Sequence, residues 1–337
     1  MKILITGGAG FIGSNFVHYW AEQHPEDSII VFDALTYAAN RASLASLQNK
    51  ITFVEGDITD REAVDAVMAG VDCVVHFAAE SHNDRAIADP FIFTKTNVIG
   101  THTLLESARQ HKVSRFHHIS TDEVFGDIPL NEKYKFSEST RYNPRSPYSA
   151  SKAGSDHVVN AYFETYKLPV TISNCTNNFG PYQHPEKLIP RSIIRLLHGQ
   201  NIPIYGEGNQ VRDWLYVKDH CRAIELILQK GKIGDTYCVG GMTEEVTNLQ
   251  IAQKLIKALG LSENKIEFVT DRAGHDVKYA IDWSKINKEL GWQPEHDFDT
   301  WLTTTVEWYK NNEAWWKETA NEAESFYKAQ GEQVLTK

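Results

Sequence analysis

The segment LITGGAGFIGSNF, residues 4–16, joins an apolar strand-like run to an apolar helical run through a glycine-rich turn. Gly7, Gly10 and Gly13 stand in a GxxGxxG spacing. Glycines at such a turn let the backbone fold back tightly and approach a pyrophosphate, whose charge then lies at the N-terminus of the helix. The segment therefore predicts a dinucleotide-binding turn at the start of the chain.

An acidic residue after the next predicted strand indicates which dinucleotide is bound. Asp33 lies near the end of SIIVFDA, residues 28–34, and follows Gly13 by 20 residues. A carboxylate at this place accepts hydrogen bonds from the ribose hydroxyls of NAD and repels the 2′-phosphate of NADP. We therefore predict NAD as the cofactor. Asp57, which ends the third strand-like run, is expected within reach of the adenine.

Short apolar runs alternate with longer amphipathic runs through the first half of the chain. The strand-like runs are residues 2–6, 28–34, 51–57, 71–79, 115–121 and 169–175, with helical candidates at 11–23, 61–69 and 96–110. Such alternation is typical of a parallel sheet covered by helices on both faces. We predict an α/β fold with a Rossmann-type doubly wound parallel sheet in residues 1–180. A smaller mixed lobe that binds the substrate is expected in residues 181–337, with some segments returning to the sheet.

The amino-acid composition limits the classes of binding partner that are expected. The formal net charge of −10 over 337 residues argues against nucleic acid, which needs a basic face. The four cysteines are widely separated and form no CxxC pair, which favours reduced thiols. The sequence shows neither an apolar run that could cross a bilayer nor a signal peptide, so no membrane partner and a cytoplasmic location are expected.

A tyrosine and a lysine are spaced to act together. Tyr148 and Lys152 stand four residues apart in YSASKAGSDH, residues 148–157, which continues into a helical run. Residues at this spacing lie on one face of a helix. A nearby ammonium favours the phenolate form and makes tyrosine a usable proton acceptor near neutral pH. We therefore predict an oxidoreductase-type pair at these positions.

These segments together resemble a known family. The chain is similar to the extended short-chain dehydrogenase/reductase enzymes that act on nucleotide sugars, and among them to the dTDP-glucose 4,6-dehydratases. The resemblance spans nearly the whole chain, with small departures at Asn83, Phe125 and residues 240–245. It rests on the segments TGGAGFIGSNF, AAESHNDRAI, STDEVFG, YSASKAGSDH, NNFGPYQHPEKLIP, VRDWLYVKDH and GHDVKYAID.

The resemblance implies a catalytic role for the acid pair Asp122-Glu123, which the simple oxidation of an alcohol does not require. It implies that Tyr148 takes the C4 hydroxyl proton as hydride passes to NAD⁺, with Thr121 hydrogen-bonded to O4. Glu123 then removes the C5 proton, which the C4 ketone has made acidic, and Asp122 protonates the departing C6 hydroxyl. Hydride returns to C6, and the product is a 4-keto-6-deoxy sugar of the kind used in deoxysugar (rhamnose-type) biosynthesis.

The resemblance also implies the binding residues. On the cofactor side they are Gly7, Gly10, Phe11, Ile12, Gly13, Asp33, Ala34, Leu35, Thr36, Asp57, Ile58, Phe77, Ala78, Ala79, Glu80, Thr96, Tyr148, Lys152 and Asn178. On the substrate side they are Ser81, Thr121, Asn177, Lys187, Leu188, Pro203, Tyr205, Arg212, Asn248, Asp271 and His275. The guanidinium of Arg212 suits a diphosphate because it offers a fork of donors. His117 and His118 alternate across a strand and cannot share one metal ion, so no metal is predicted.

Several alternatives remain open from the sequence. The base of the nucleotide could be that of dTDP, UDP or CDP. A nucleotide-sugar 4-epimerase or decarboxylase would keep the glycine turn and the Tyr–Lys pair but would not need the acid pair. An NAD-binding scaffold of the same fold would need neither Tyr148 nor Lys152. A homodimer is expected, with a helical interface that includes Val158, Val159, Tyr162 and Phe163 and the helix at 96–110.

Overall fold

A seven-stranded parallel sheet lies at the centre of the computed structural model, which describes residues 1–241, 245–271 and 276–329. The strands in chain order are β1 (Lys2–Thr6), β2 (Ser28–Asp33), β3 (Ile51–Glu55), β4 (Cys73–His76), β5 (Arg115–Thr121), β6 (Val170–Cys175), β7 (Asn177–Phe179), β8 (Ile202–Tyr205), β9 (Val211–Arg212), β10 (Trp214–Tyr216), β11 (Thr236–Val239), β12 (Val246–Thr247) and β13 (Ile266–Val269). The large sheet has the order β11-β6-β5-β4-β1-β2-β3.

Helices connect and cover these strands. They are α1 (Phe11–Gln23), α2 (Arg61–Met68), α3 (Asn83–Ala88), α4 (Pro90–Phe93), α5 (Thr101–Gln110), α6 (Pro147–Tyr166), α7 (Leu188–Leu197), α8 (Val217–Lys230), α9 (Asn248–Ala258), α10 (Ser284–Leu290), α11 (Phe298–Asn311) and α12 (Glu313–Ala329). A π-helical segment, Thr94–Gly100, leads into α5, and 3-10 turns lie at Arg41–Leu47 and Asp122–Phe125.

The central strands bury both faces because their apolar side chains alternate between two layers of helices. Ile3 and Ile5 of β1 pack in the cluster that contains α1 and α8. Leu4, between them, packs in the cluster on the other face, which contains α2, α5 and α6. This alternation is the period-2 pattern that a fully covered strand requires. The predicted doubly wound parallel sheet is confirmed.

The seventh strand of the sheet, β11, is the one that the sequence pattern did not predict. Its four residues are too few to show a clear periodicity, and they lie in the second half of the chain. The strand forms because it pairs in parallel with β6, which places Thr236 opposite Ile172. The division of the chain at residue 180 stays a prediction, and β11 is a later segment that lies in the large sheet.

The region outside the large sheet, called the second lobe below, contains three short strand pairs among the described residues. β7 pairs with β10 and β8 with β13 in parallel, while β9 and β12 are antiparallel. One apolar cluster joins α7, α9, α11 and α12. The tryptophans near the C-terminus take part in this packing: Trp316 is buried, and Trp301 stacks on Tyr216 with ring centroids 3.9 Å apart.

Most of the side chains predicted for a dimer interface pack in the core of the protein. Val159 and Tyr162 are buried in the cluster that α6 forms with the sheet and α5. Val158 and Phe163 pack against the same cluster. Large apolar side chains in this region that are exposed include Phe91, Ile99 and Tyr166.

Candidate active site

The turn between β1 and α1 has no room for side chains. Gly7 has φ of +68°, and a Cβ there would lie 2.5 Å from the backbone nitrogen of Ala78. A Cβ on Gly13 would lie 2.2 Å from the carbonyl oxygen of Gly7. At Gly10 the sole atom within 4 Å of such a Cβ is the Gly7 oxygen at 3.3 Å, so its outer side is open to a ligand. The turn therefore provides the close backbone approach that a dinucleotide needs.

Asp33 stabilises this turn. One carboxylate oxygen accepts the N–H of Ala9 at 2.8 Å, and the other accepts the N–H of Leu35 at 2.8 Å. Burial raises the pKa of Asp33, and these two hydrogen bonds oppose that effect. Each oxygen of an ionised carboxylate can accept a further bond. The residue is therefore suited to the predicted ribose contact while it orders the glycine turn.

One pocket of about 350 Å³ lies against this turn and brings most of the predicted residues together. Among the predicted cofactor residues, its lining includes Gly7, Gly10, Phe11, Ile12, Gly13, Asp33, Ala34, Thr36, Asp57, Ile58, Phe77, Ala78, Ala79, Glu80, Thr96, Tyr148, Lys152 and Asn178. It also includes Ser81, Thr121, Glu123, Asn177 and Lys187 from the catalytic and substrate sets. Leu35 is not in the lining and packs against the apolar cluster around α1.

Helix α6 positions the Tyr–Lys pair at the pocket wall. Ser146 begins the helix with a reciprocal capping box to Ser149, and Pro147 occupies the first turn. Tyr148 is 9% exposed and Lys152 is 4% exposed. The Lys152 ammonium donates to the carbonyl oxygen of Ile119 at 2.8 Å, which ties the helix to the end of β5.

Burial dominates the acid–base properties of this pair. It raises the pKa of Tyr148 well above the ordinary value, and the charge of Glu123 adds to the effect. Burial also lowers the pKa of Lys152 to about 8, against the opposing influence of Asp156. The predicted activation of Tyr148 by the Lys152 ammonium stays a prediction.

A buried polar network lies behind Lys152. Its ammonium is 3.4 Å from Nε2 of His118, and that nitrogen is 3.2 Å from a carboxylate oxygen of Asp156. The other oxygen of Asp156 accepts hydrogen bonds from Ser120 at 2.7 Å and Tyr142 at 2.9 Å. Asp156 is therefore the carboxylate that faces the buried ammonium.

The acid pair occupies a tight turn at the end of β5. Thr121 caps this turn by accepting the N–H of Glu123 at 3.3 Å, and its hydroxyl also donates to Asp122 at 3.3 Å. Asp122 is 1% exposed, and burial with the charge of Glu123 raises its pKa to about 8. Glu123 is half-buried and lines the pocket. Asp122 is not in the lining of the pocket, unlike Glu123, and its raised pKa favours the protonated form at neutral pH.

Several neighbours of Glu123 favour its charged form. Burial raises its pKa, and the strongest opposing effect is a hydrogen bond from the amide of Asn83 at 3.0 Å. The charges of Arg212 and Lys187 act in the same direction as Asn83. Two residues from the predicted substrate set therefore lie close enough to Glu123 to influence its protonation.

The remaining predicted substrate residues lie outside the lining of this pocket. Arg212 donates to the carbonyl oxygens of Val211 and Asp276, each at 2.8 Å, and its guanidinium lies 4.5 Å from the ring centre of Tyr279. Asp271 accepts a hydrogen bond from Gln210 at 3.1 Å. Leu188 begins α7, Pro203 and Tyr205 belong to β8, and Asn248 begins α9. His275 and residues 242–244 are outside the described residues. The contacts predicted for this set stay predictions.

Several pocket residues had no role predicted from the sequence. Gln183, His184 and Glu186 line the pocket from the segment after β7, and Thr176 lines it from the end of β6. Thr176 directly follows the predicted strand 169–175, where the carboxyl ends of parallel strands form a site. Gln183, His184 and Glu186 lie within the motif NNFGPYQHPEKLIP, which is the signal that could have found them. Asn83 was noted only as a departure, and its contact with Glu123 appears only in the fold.

Other chemistries find little support in the described residues. All four cysteines are free and buried, and burial raises the pKa of Cys175 to about 12. His117 bonds to Thr171 and Ser173, away from the partners of His118. Across residues 1–241, 245–271 and 276–329 there is no group of three metal-ligating side chains, and no helix there is long and apolar enough to cross a membrane.

Comparison with known proteins agrees with this site. The family model described as GDP-mannose 4,6 dehydratase matches residues 4–305. The chain belongs to this family. The dTDP-glucose 4,6-dehydratase of Mycobacterium tuberculosis is 50% identical over 98% of this chain and 100% of its own length. The resemblance to nucleotide-sugar dehydratases seen in the motifs is thus confirmed.

Solved structures support the same relationship. A dTDP-glucose 4,6-dehydratase from Streptomyces venezuelae, determined with NAD and dTDP bound, has a TM-score of 0.91 and 48% identity over 95% of this chain and 100% of its own. A UDP-glucose 4-epimerase from Thermotoga maritima, determined with UDP-glucose, has a TM-score of 0.86 and 29% identity over 92% of this chain and 99% of its own. The fold is shared by both activities, so the site residues must distinguish them.

Proposed function

We propose that this chain is an NAD-dependent lyase that converts dTDP-glucose to dTDP-4-keto-6-deoxyglucose. The observation that carries the proposal is the acid pair Asp122-Glu123 on the turn after β5, where Glu123 lines the same pocket as Tyr148 and Lys152 and both carboxyl groups act on Tyr148. Identity of 45–50% to dTDP-glucose 4,6-dehydratases over nearly the whole chain supports the same conclusion. The product belongs to deoxysugar biosynthesis.

The pocket residues fit NAD. The side-chain-free turn at Gly7, Gly10 and Gly13 admits a pyrophosphate, and Asp33 is placed for a ribose. Bound NAD would supply reversible hydride transfer, from C4 in the oxidation and back to C6 at the end, and would thus be regenerated in every turnover. Related structures solved with NAD support this assignment.

The Tyr–Lys pair serves the oxidation of C4. Tyr148 accepts the O4 proton, while Thr121 holds O4 by a hydrogen bond. The Lys152 ammonium is held by the Ile119 carbonyl, and the charge of Asp156 favours its protonated form. This ammonium supplies part of the positive charge that the buried phenolate needs. Oxidation at C4 makes the C5 proton acidic, since it then lies next to a carbonyl group.

The acid pair serves the elimination of water. Asn83, Arg212 and Lys187 favour the charged form of Glu123, and this carboxylate removes the C5 proton. Asp122, whose pKa is about 8, is protonated at neutral pH and donates to the departing C6 hydroxyl. General acid and base groups each contribute roughly 10²–10⁴-fold to a rate. A 4-epimerase has no elimination step and would not use these two groups.

The decisive experiment compares nucleotides. The purified protein is incubated separately with the glucose derivatives of dTDP, UDP and CDP, and the alkali-induced absorbance of a 4-keto-6-deoxy sugar is followed. We expect product with dTDP-glucose, with NAD retained through purification and no steady accumulation of NADH. Formation of a galactose derivative without the alkali-sensitive product would instead identify an epimerase. Faster product formation from UDP- or CDP-glucose would replace the assigned nucleotide.

We also propose a cytoplasmic homodimer. The support for a reducing compartment is that all four cysteines are free and buried. The support for a dimer is the exposure of large apolar side chains on neighbouring elements, with Phe91 at 77% and Ile99 at 50%. A patch of this kind is stabilised when a second copy covers it.

A further inference from the structure

The first residue of α3 reaches the proposed base. The side-chain nitrogen of Asn83 donates to Oε2 of Glu123 at 3.0 Å, although the two residues are 40 positions apart in the chain. Asn83 follows β4, and Glu123 follows β5, and these strands are neighbours in the sheet. The contact therefore joins two adjacent loops at the carboxyl edge of the parallel sheet.

We infer that Asn83 is a positioning residue for the elimination, which holds the Glu123 carboxylate toward the C5 proton. The inference rests on the proposed function, because it assigns a role relative to Glu123 as the base. Asn83 acts through Glu123 and is given no contact with the sugar. The amide can serve in this way because it donates a directed hydrogen bond without adding charge.

Helix α3 is fixed firmly enough to position a side chain. Arg85, two residues after Asn83, lies between two rings, with its guanidinium 3.7 Å from the ring centre of Tyr37 and 4.6 Å from that of Phe326. The same guanidinium is 3.4 Å from the buried carboxylate of Glu186. Three separate parts of the chain thus hold α3 in place, including the C-terminal helix α12. A hydrogen-bonding group on a held element loses little entropy when it orders its partner.

The surroundings of Glu123 show which way the protonation changes when Asn83 is lost. Four acidic groups interact unfavourably with a negative charge on Glu123. They are Asp122, Tyr148, Asp276 and Tyr279. Those that favour the charge are Asn83, Arg212 and Lys187, with the Asn83 hydrogen bond the largest of the three. Removing this donor therefore raises the pKa of Glu123. Because a base must be ionised, the acid limb of the elimination rate then moves to higher pH.

The test uses two substitutions whose side chains branch at Cγ as asparagine does. Asn83→Leu removes the donor, and Asn83→Asp replaces it with a second acid that faces Glu123. Elimination is measured in single turnovers across pH, together with exchange of the C5 proton with solvent deuterium. We expect the acid limb to move upward by about one pH unit for Leu and further for Asp, since a like charge disfavours ionisation more than a missing hydrogen bond. Formation of NADH by C4 oxidation should change by less than about threefold.

A matched control lies on the same helix. Ile87→Ala alters an exposed side chain of α3 and should leave the acid limb where it is in the parent protein. An unshifted acid limb in both Asn83 variants, with slower turnover at every pH, would overturn the inference and leave Asn83 a structural residue. If Asn83→Leu does not fold, the polar Asn83→Asp decides the question by the same measurement. Failure of the parent protein to dehydrate dTDP-glucose would contradict the proposed function. Normal dehydration by the parent protein with an unshifted acid limb in the variants would contradict only the role of Asn83, so the two failures are distinguishable.

Discussion

Asp122 and Glu123 are neighbours in the chain, yet their surroundings differ. Asp122 is buried beneath the turn, and burial together with the adjacent carboxylate raises its pKa to about 8. Glu123 reaches the pocket and receives a hydrogen bond from Asn83. Two carboxyl groups whose environments separate their protonation states can serve as an acid and a base at the same pH.

Substitutions in this pair should separate oxidation from elimination. Glu123→Gln and Asp122→Asn preserve shape, and neither residue is required to oxidise C4. Each variant should form NADH from dTDP-glucose, while dehydration slows by roughly 10²–10⁴-fold. Tyr148→Phe should form little NADH. Single-turnover absorbance distinguishes these outcomes, and normal dehydration by Glu123→Gln would show that this carboxylate is a structural part of the turn.

Asp156 should set the alkaline limit of the oxidation. Its charge raises the pKa of Lys152, which burial has lowered to about 8. In Asp156→Asn that support is lost, so Lys152 loses its proton at a lower pH. We expect the alkaline limb of NADH formation in single turnovers to move down by about one pH unit. Ser155→Ala, which removes a neutral partner of His118, is the control and should move it less. An unchanged limb in Asp156→Asn would argue against a role for this charge.

At the scale of elements, the start of α6 matters because the Tyr–Lys pair follows it within two turns. Ser146 accepts the N–H of Ser149 at 3.1 Å, and Ser149 in turn accepts the N–H of Ser146 at 3.0 Å. These bonds satisfy backbone donors that the first turn of a helix leaves without partners. The direction of α6 at Tyr148 therefore depends on a local capping motif.

Ser146→Ala should weaken both stability and oxidation. Loss of an N-cap costs about 0.5–2 kcal/mol in the free energy of unfolding, measured by denaturant titration. We expect NADH formation to slow as well, because Tyr148 lies in the turn that frays. Asp297→Ala, which removes the cap of α11 far along the chain, is a matched control. It should lose comparable stability with kcat unchanged. Equal kcat values in the two variants would show that the cap does not position Tyr148.

At the scale of the whole molecule, the proposed dimer is supported by exposed apolar side chains on α4, the π-helical segment and α6. Phe91, Ile99 and Tyr166 are the large exposed side chains there. We expect sedimentation at micromolar concentration to give the mass of a dimer. Phe91→Asp combined with Ile99→Asp should yield monomers, because a buried unpaired charge opposes association. Leu261→Asp, on an exposed side chain of the second lobe, is the control. A monomeric parent protein would contradict the proposal.

The sequence by itself determined the parts of this protein that depend on local pattern. The glycine turn, six of the seven strands of the large sheet and the Tyr148–Lys152 spacing were all predicted, because each is expressed within a few consecutive residues. Most of the cofactor residues lie in one pocket for the same reason: they follow strand ends, and the ends of parallel strands meet at one edge of the sheet.

Tertiary structure alone decided the contacts between distant segments. β11 is a strand because it pairs with β6, and Glu123 is held by Asn83 because β4 and β5 are neighbours. The raised pKa of Tyr148 and the burial of Asp122 follow from packing that no local pattern expresses. Val159 and Tyr162 face the core for the same reason. Periodicity shows that a face is apolar, but only the assembled chain determines what covers that face.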